Sequence, residues 1–446
     1  MVTRAGSWVS ALLSATIIAA FITISPFQEL PYASASSSSC VSQLHPGGHL
    51  VGCNFIGIAL EGVNLTGANL SGANLAGSSI YADMEGANLS HSILTKAHLN
   101  GSMLAGANFT DAILVGADMT GTNLSNAHFV NADLKSSDLN NSVITGTDFL
   151  GAKLTNVTSG SLSGLAELPK HWRIVGGYFV GPGANDDGSV LAGANLEGAD
   201  LAGANLAQSD LSGANLMNAN LSGANLMLTQ LGDSGQAGRP ANFDGANLTG
   251  ANLNGDDLSN LHLDKTILVG AKLADVTSGS VIGVPILSND WKVIGGYLAG
   301  PGADLNSANL SNLNFSNSDL SNVNLAGATV TGTNFLGANL ANVISGSLTG
   351  TPDLPTNWTI AYGYILGPSA DLEDAQLSNV EMSDVDLSGA NLSGAELTGA
   401  DLTNANLSNA NIDGATLFGA TVTGTILTGA VSNASTICAD GSYGPC

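Results

Sequence analysis

EGVNLTGANLSGANLAG, residues 61–77, decides the fold. Leu65, Leu70 and Leu75 recur every five residues, each preceded by Asn, with Val63, Ala68 and Ala73 two places before. A period of five matches neither the 3.6 of a helix nor the strict 2 of a long strand. A short extended piece explains it. In extended chain, residues two apart point the same way. The large residue (the centre) and the smaller one two before it therefore face one side, and the Asn between them faces the other. The remaining pair, Thr66-Gly67 or Ser71-Gly72, makes a corner, where glycine relieves the steric limits of a tight turn. Each pentapeptide is one side of a closing coil.

Outward from this stretch the register holds for most of the chain. Centres run from Phe55 to Ile80, slip by one residue to Met84, and continue to Leu154. They resume from Leu191 to Leu231, Phe243 to Leu273, Leu305 to Leu340 and Leu372 to Leu427. Such a short internal repeat outranks every other reading of the chain. The pattern resembles the pentapeptide-repeat family, A(D/N)LxX in tandem. That resemblance implies an all-β fold, a right-handed quadrilateral parallel β-helix of twenty residues per coil. Coils would stack at about 4.8 Å, the hydrogen-bonding distance between strands. A lone coil buries too little to be stable, so stability is shared between neighbours and the ends need caps.

Three matched segments interrupt the register. They read TSGSLSGLAELPKHWRIVGGYFVGPGAND (158–186), TSGSVIGVPILSNDWKVIGGYLAGPGADL (277–305) and ISGSLTGTPDLPTNWTIAYGYILGPSADL (344–372). Trp172, Trp291 and Trp358 each stand six residues before Tyr178, Tyr297 and Tyr364, and ten before Pro182, Pro301 and Pro368. The W…GY…GP pattern resembles segments of long exported bacterial pentapeptide-repeat proteins. Two readings compete. The structural one makes each module a coil with a protruding loop, its Trp and Tyr covering the core laterally. The functional one makes the six aromatics a platform for a sugar or protein partner. The second and third loops should lie on the same side, because two full coils of centres separate them. The first module also forces Asp186 into a centre position.

The expected organisation follows. Residues 1–35 form a signal peptide, with Arg4 ahead of an apolar run from Trp8 to Ile24 and cleavage after Ala35; an uncleaved anchor is the alternative. An N-terminal cap with one cysteine pair covers 36–54. Repeat blocks cover 55–156, 189–275, 304–342 and 371–430, alternating with modules at 157–188, 276–303 and 343–370. A C-terminal cap with the second pair covers 431–446. No later stretch has the apolar length of a membrane span, so none is expected in the mature chain. Cys40 with Cys53 and Cys438 with Cys446 are disulfide candidates, as befits an exported chain with an even, locally paired set. Cys40, His45, His49 and Cys53 also form a zinc-type ligand set, but their spacing matches no established motif and the disulfide is preferred.

Charge narrows the function. The chain carries 35 acidic and 10 basic residues, net −25, which argues against direct nucleic-acid binding. No nucleophile–base pair follows from the register: His98 and His128 fall on opposite faces. The twenty-residue coil stacks Asp133 with Lys153, His128 with Asp148, and His98 with Asp118 and Asp138. The last column either repels or holds a cation; solvated neighbours are the preferred reading. The sequence thus predicts no enzyme, cofactor or metal. It points to a secreted or cell-envelope scaffold that binds an unknown protein or surface polymer. The family resemblance supplies an alternative, since some members imitate DNA and inhibit type II topoisomerases.

Overall fold

In the computed structural model every fifth residue turns inward. It describes residues 38–232, 239–444 and 446; the proposed signal segment lies outside these. Leu65, Leu70 and Leu75 are 0% exposed, and the small residues two before centres are buried beside them. The register opens at Leu50, one side ahead of Phe55. The residue before each centre bridges its equivalent one coil on, in parallel: Asn108 to His128, His128 to Asp148, Asp118 to Asp138. The chain is a right-handed quadrilateral parallel β-helix, and among the described residues a short helix, α1 (Ser38–Val41), precedes the first coil.

Two backbone bonds carry each rung. The centre's N–H donates to the outward residue one coil ahead, as from Leu65 to Asp83 O (2.7 Å) and Leu114 to Asp133 O (2.7 Å). The outward residue's N–H donates one coil back, as from Asp133 to Ala112 O (2.9 Å). Corners need a left-handed residue at their second position, and Gly67, Gly72 and Gly77 supply it with φ of 65°, 64° and 62°. Where glycine is missing, Asn commonly takes the place, as at Asn126 and Asn131.

The preference for Asn and Asp before the centre has two causes. Its Oδ1 accepts the N–H two residues on, closing the corner: Thr66 N donates to Asn64 (3.0 Å) and Asn140 N to Asp138 (2.9 Å). Its carboxamide also donates to the coil below. Asn205 donates to Asn185 (2.9 Å), Asn225 to Asn205 (2.9 Å) and Asn252 to Asn225 (3.1 Å). In each of these bonds the donor comes from the later coil. Aspartate accepts but cannot donate, so it fits the first rung of such a ladder: Asp200 beneath Asn220 and Asp371 beneath Asn391, each at 2.9 Å.

Faces are numbered from the rungs His49, Asn54, Ala59 and Asn64. Each module lengthens one coil. The rung after Thr158 on the third face is Asn185; on the fourth face Asp304 follows Thr277 and Asp371 follows Ile344. The missing side is a β-hairpin: β1 (Arg173–Val175) with β2 (Tyr178–Val180), β3 (Lys292–Ile294) with β4 (Tyr297–Ala299), and β5 (Thr359–Ala361) with β6 (Tyr364–Leu366). Hairpin 1 stands in for a second-face side; hairpins 2 and 3 both stand in for the third, so the later two do share an angular position.

The hairpins do not protrude. Phe179 and Val180 are both buried, although consecutive strand residues point to opposite sides. Ile174 and Phe179 pack on the first block's core, while Val175, Tyr178 and Val180 pack on the second's. Phe179 meets Phe149 edge-on (5.4 Å between centroids), ending the stack Phe109–Phe129–Phe149. Hairpin 2 repeats this, with Val293 and Leu298 towards the second block and Ile294, Tyr297 and Ala299 towards the third. The expectation of a projecting loop is thus corrected. Two-residue turns such as Gly176-Gly177 (φ 59° and 85°) make tight hairpins, and strands apolar on both faces bury both by lying between coils.

The ladder's polarity predicts a directional effect. Asn205→Asp keeps the acceptor but removes the donor to Asn185, and should lower local stability by about 1 kcal/mol. Asp200→Asn, at a ladder's first rung, should be nearly neutral. Amide exchange at Asn205 and Asn225 together with urea midpoints checks the pair; equal effects from both substitutions would contradict the polarity.

Candidate functional site

The six module aromatics have specific internal partners. Tyr178 Oη accepts the N–H of Val190 (3.3 Å), Tyr297 that of Asn309 (3.2 Å) and Tyr364 that of Gln376 (3.1 Å). In a regular coil each of these N–H groups would donate to a carbonyl one coil back, and the hairpin displaces that carbonyl. The phenol oxygen replaces it. The hydroxyls of Ser159, Ser278 and Ser345 similarly accept from Phe179 (2.8 Å), Leu298 (2.9 Å) and Ile365 (3.0 Å). The rings of Trp172, Trp291 and Trp358 lie on Gly181, Gly300 and Gly367, where a Cβ would overlap the indole. All six aromatics are half-buried. The geometry favours their structural role, and it explains why each Pro is preceded by glycine.

The outward columns and the corners hold most of the ionisable groups. Lys153 Nζ reaches Asp133 at 3.3 Å, as the coil length predicts. His91–Asp111 (3.9 Å), His171–Asp200 (3.9 Å) and His262–Asp244 (4.0 Å) are longer. Exposed pairs of this kind contribute under about 1 kcal/mol. His98, Asp118 and Asp138 are successive rungs of the third face, and His128 lies on the first. Asp118 accepts the Thr120 amide (3.0 Å) and Asp138 that of Asn140, so both carboxylates close corners. Among the described residues no three His, Cys, Asp or Glu side chains converge as metal ligands.

Both cysteine pairs are disulfides, Cys40–Cys53 and Cys438–Cys446. The first ties α1 to the coil that opens at Leu50. His45 Nδ1 donates to Pro46 O at 2.9 Å, so the alternative zinc set has its thiols bonded to each other. At the other end Ile437, just before the second disulfide loop, pairs antiparallel with Tyr443 within it.

Among the described residues two carboxyls are buried. Asp186, at 1% exposure, occupies the centre position that the first module's length requires, where the other modules place Leu305 and Leu372. Neither of its carboxyl oxygens has a hydrogen-bond partner, nor has the neighbouring Ser189 hydroxyl. Desolvation pushes its pKa up to about 8. Asp256 takes a small inward position; burial raises it to about 8 against the opposing N–H groups of Thr229 and Leu228. Thr229 N donates to it at 2.8 Å, compensating the corner that Leu228 occupies in the left-handed region (φ 60°). The five-residue register also identifies Asp256 from sequence, since it stands two before Leu258.

The sequence pattern "Pentapeptide repeats" matches residues 49–80, 82–121, 122–158, 189–231, 241–277, 302–344 and 369–431, well over half of the chain. Among solved structures, HetL of Nostoc sp. strain PCC 7120, a pentapeptide repeat protein involved in heterocyst differentiation regulation, is 25% identical over 52% of this chain and 88% of its own, with a TM-score of 0.27. A pentapeptide repeat protein of the Arabidopsis thaliana thylakoid lumen is 30% identical over 24% of this chain and 72% of its own (TM-score 0.20). Rfr23 of the cyanobacterium Cyanothece 51142 is 22% identical over 27% and 90% (TM-score 0.20). No curated protein matches.

Asp186 gives stability a pH dependence of known sign. Its folded pKa, about 8, lies above the ordinary 3.8. Its protonated form is therefore the one the fold accommodates. That contribution is full below pH 3.8 and is lost progressively as pH rises through 8. Asp186→Leu should remove a slope of about 1.4 kcal/mol per pH unit between these limits and raise stability most at pH 8. Urea unfolding of both proteins from pH 5 to 8 checks this; parallel curves would contradict it.

Proposed function

The chain belongs to the pentapeptide-repeat family, and from that premise we propose that it is a non-catalytic scaffold of the cell exterior or envelope that binds a protein or surface polymer through its outward faces. The observation that carries this reading is the division of labour between side chains. Centres and small residues fill the core, module aromatics close the partitions, and only the outward columns and corners remain for recognition. These repeat at the coil spacing, which suits an extended partner engaged at many weak points. The two disulfides support an oxidising compartment.

A second reading, mimicry of DNA towards a type II topoisomerase, is favoured by one observation. From Val293 to Cys446 there is no Lys or Arg, although Asp and Glu continue. Stacked carboxylates are nevertheless sparse there. Glu381–Asp401 is one such pair, whereas Asp371, Asn391 and Asn411 form a largely neutral column.

Cell fractionation separates the two. The scaffold reading expects the chain in the supernatant or envelope, shortened after Ala35, with no free thiol. Full-length, reduced chain in the cytosol would overturn it. A gyrase supercoiling assay with the mature protein tests mimicry, and absence of inhibition removes it.

A further inference from the structure

Within the first repeat block the register slips once, between Ile80 and Met84, and a cleft lies at the slip. The coil around it has nineteen residues, as the rungs Asn64 to Asp83 and Ser79 to His98 show. Tyr81 alone fills a corner that takes two residues in the regular coils, a contraction that recurs in the modules between the rungs Ser163 and Glu167, Ile282 and Ile286, and Thr349 and Asp353. The Ser102 hydroxyl staples the shortened corner by donating to Ile80 O and accepting from Ala82 N (3.3 Å). The ladder therefore continues, with Met84 N to Met103 O at 2.8 Å and Gly62 N to Tyr81 O at 2.7 Å. What changes is the surface. Tyr81 is 61% exposed, its ring set over Gly101, where a Cβ would come within 2.9 Å. Beside it lies a cleft of about 290 Å³, lined by Val63, Asn64, Tyr81, Asp83, Gly101 and Met103.

The charge around this cleft has one sign. Asp83 lines it, Glu61 stands one coil below Tyr81, and Glu85 follows at the next corner. Glu61 Oε1 accepts from Ser79 Oγ (2.8 Å) and Asp83 Oδ1 accepts from Glu85 N (3.3 Å), which holds both carboxylates in place. Between Arg4 and Lys96 the sequence has no Lys or Arg. An exposed aromatic ring attracts a cation to its face, and a carboxylate beside it adds to the attraction. A polarizable thioether, Met103, forms another wall of the cleft.

We propose that the cleft at Tyr81 receives the guanidinium or ammonium group of a basic partner segment, the cation on the Tyr81 ring and paired with Asp83. This deepens the scaffold reading by naming the partner's chemistry. The test uses the isolated protein, so its outcome does not depend on where the protein resides.

The probe is the fluorescent peptide Gly-Arg-Gly-Arg-Gly, with the same peptide carrying citrulline for arginine as its neutral counterpart. Anisotropy titration at moderate salt should show binding of the arginine peptide and at least about fivefold weaker binding of the citrulline peptide. Tyr81→Ala and Asp83→Asn should each weaken binding about fivefold, the scale of a cation–π contact or one charge pair. Tyr81→Phe should retain it, which also guards against loss through misfolding. Glu373→Gln, with the same charge change far along the chain, should have no effect. Equal losses from Asp83→Asn and Glu373→Gln would mean diffuse attraction and overturn the site. So would equal binding of both peptides, the signature of a neutral ligand stacking on Tyr81, or no binding by the wild-type protein.

Discussion

The rung between coils is the constraint on which everything else depends. At each rung the centre donates its N–H to the coil ahead and the outward residue donates one to the coil behind, as at Leu114 and Asp133. Both bonds exist only if every coil returns to the same four positions at the same rise. Side-chain choices follow. Inward positions must pack against copies of themselves one coil away, which favours Leu in centres and Ala beside them, and lets Phe109, Phe129 and Phe149 stack. Outward positions must tolerate a like neighbour at the same spacing. Asn does so by donating down its column, whereas a column of ionised Asp would repel at every rung.

Breaking that constraint leaves backbone groups without partners, and the modules show how such groups are satisfied. One face keeps its rung across each module; the hairpin separates the others. A buried unpaired N–H costs about 1 to 3 kcal/mol. The hydroxyls of Tyr178 and Ser159, and their counterparts in the other modules, accept N–H groups made available by the interruption. Trp172 then covers the hairpin's return at Gly181. The repeated aromatics are thus explained by hydrogen bonding and packing within the partition. Asp186 is the exception within this logic. It fills a centre without any partner, at a site where the equivalent modules use leucine, and nothing in the structure explains it beyond its raised pKa.

The coil, its register, the Asp133–Lys153 contact and the buried place of Asp186 were all legible in the sequence, because a period of five constrains each residue locally. The path of the hairpins was not. VGGY identifies a tight turn, but whether the strands point outward or lie between blocks depends on which cores touch their two faces, and that is a relation between residues such as Ile174 and Val175 and segments far away in the chain. Apolar character on both faces of β2, Tyr-Phe-Val, was the available signal. The cleft was half-legible: the slip from Ile80 to Met84 is visible in the spacing, but the room it opens between Tyr81, Asp83 and Met103 follows from the stacking of three coils.

A periodic surface has a consequence for recognition. Where every coil repeats the last, a ligand shifted by one coil meets nearly the same contacts, so the regular faces bind without fixing position. Register is set only where the period fails. Among the described residues these places include the three modules, where Trp172, Tyr178 and their counterparts are engaged internally, the lengthened coil between Leu231 and Phe243, and the nineteen-residue coil that carries the exposed Tyr81. Asp83 closes its corner through Glu85 N as Asp118 and Asp138 close theirs, but it does so beside the exposed Tyr81 ring. Together with Tyr81 and the cleft both line, Asp83 marks a position along its column. A partner that reads the columns for affinity needs such an address for alignment, and the slipped corner supplies it by omitting a single residue from the coil.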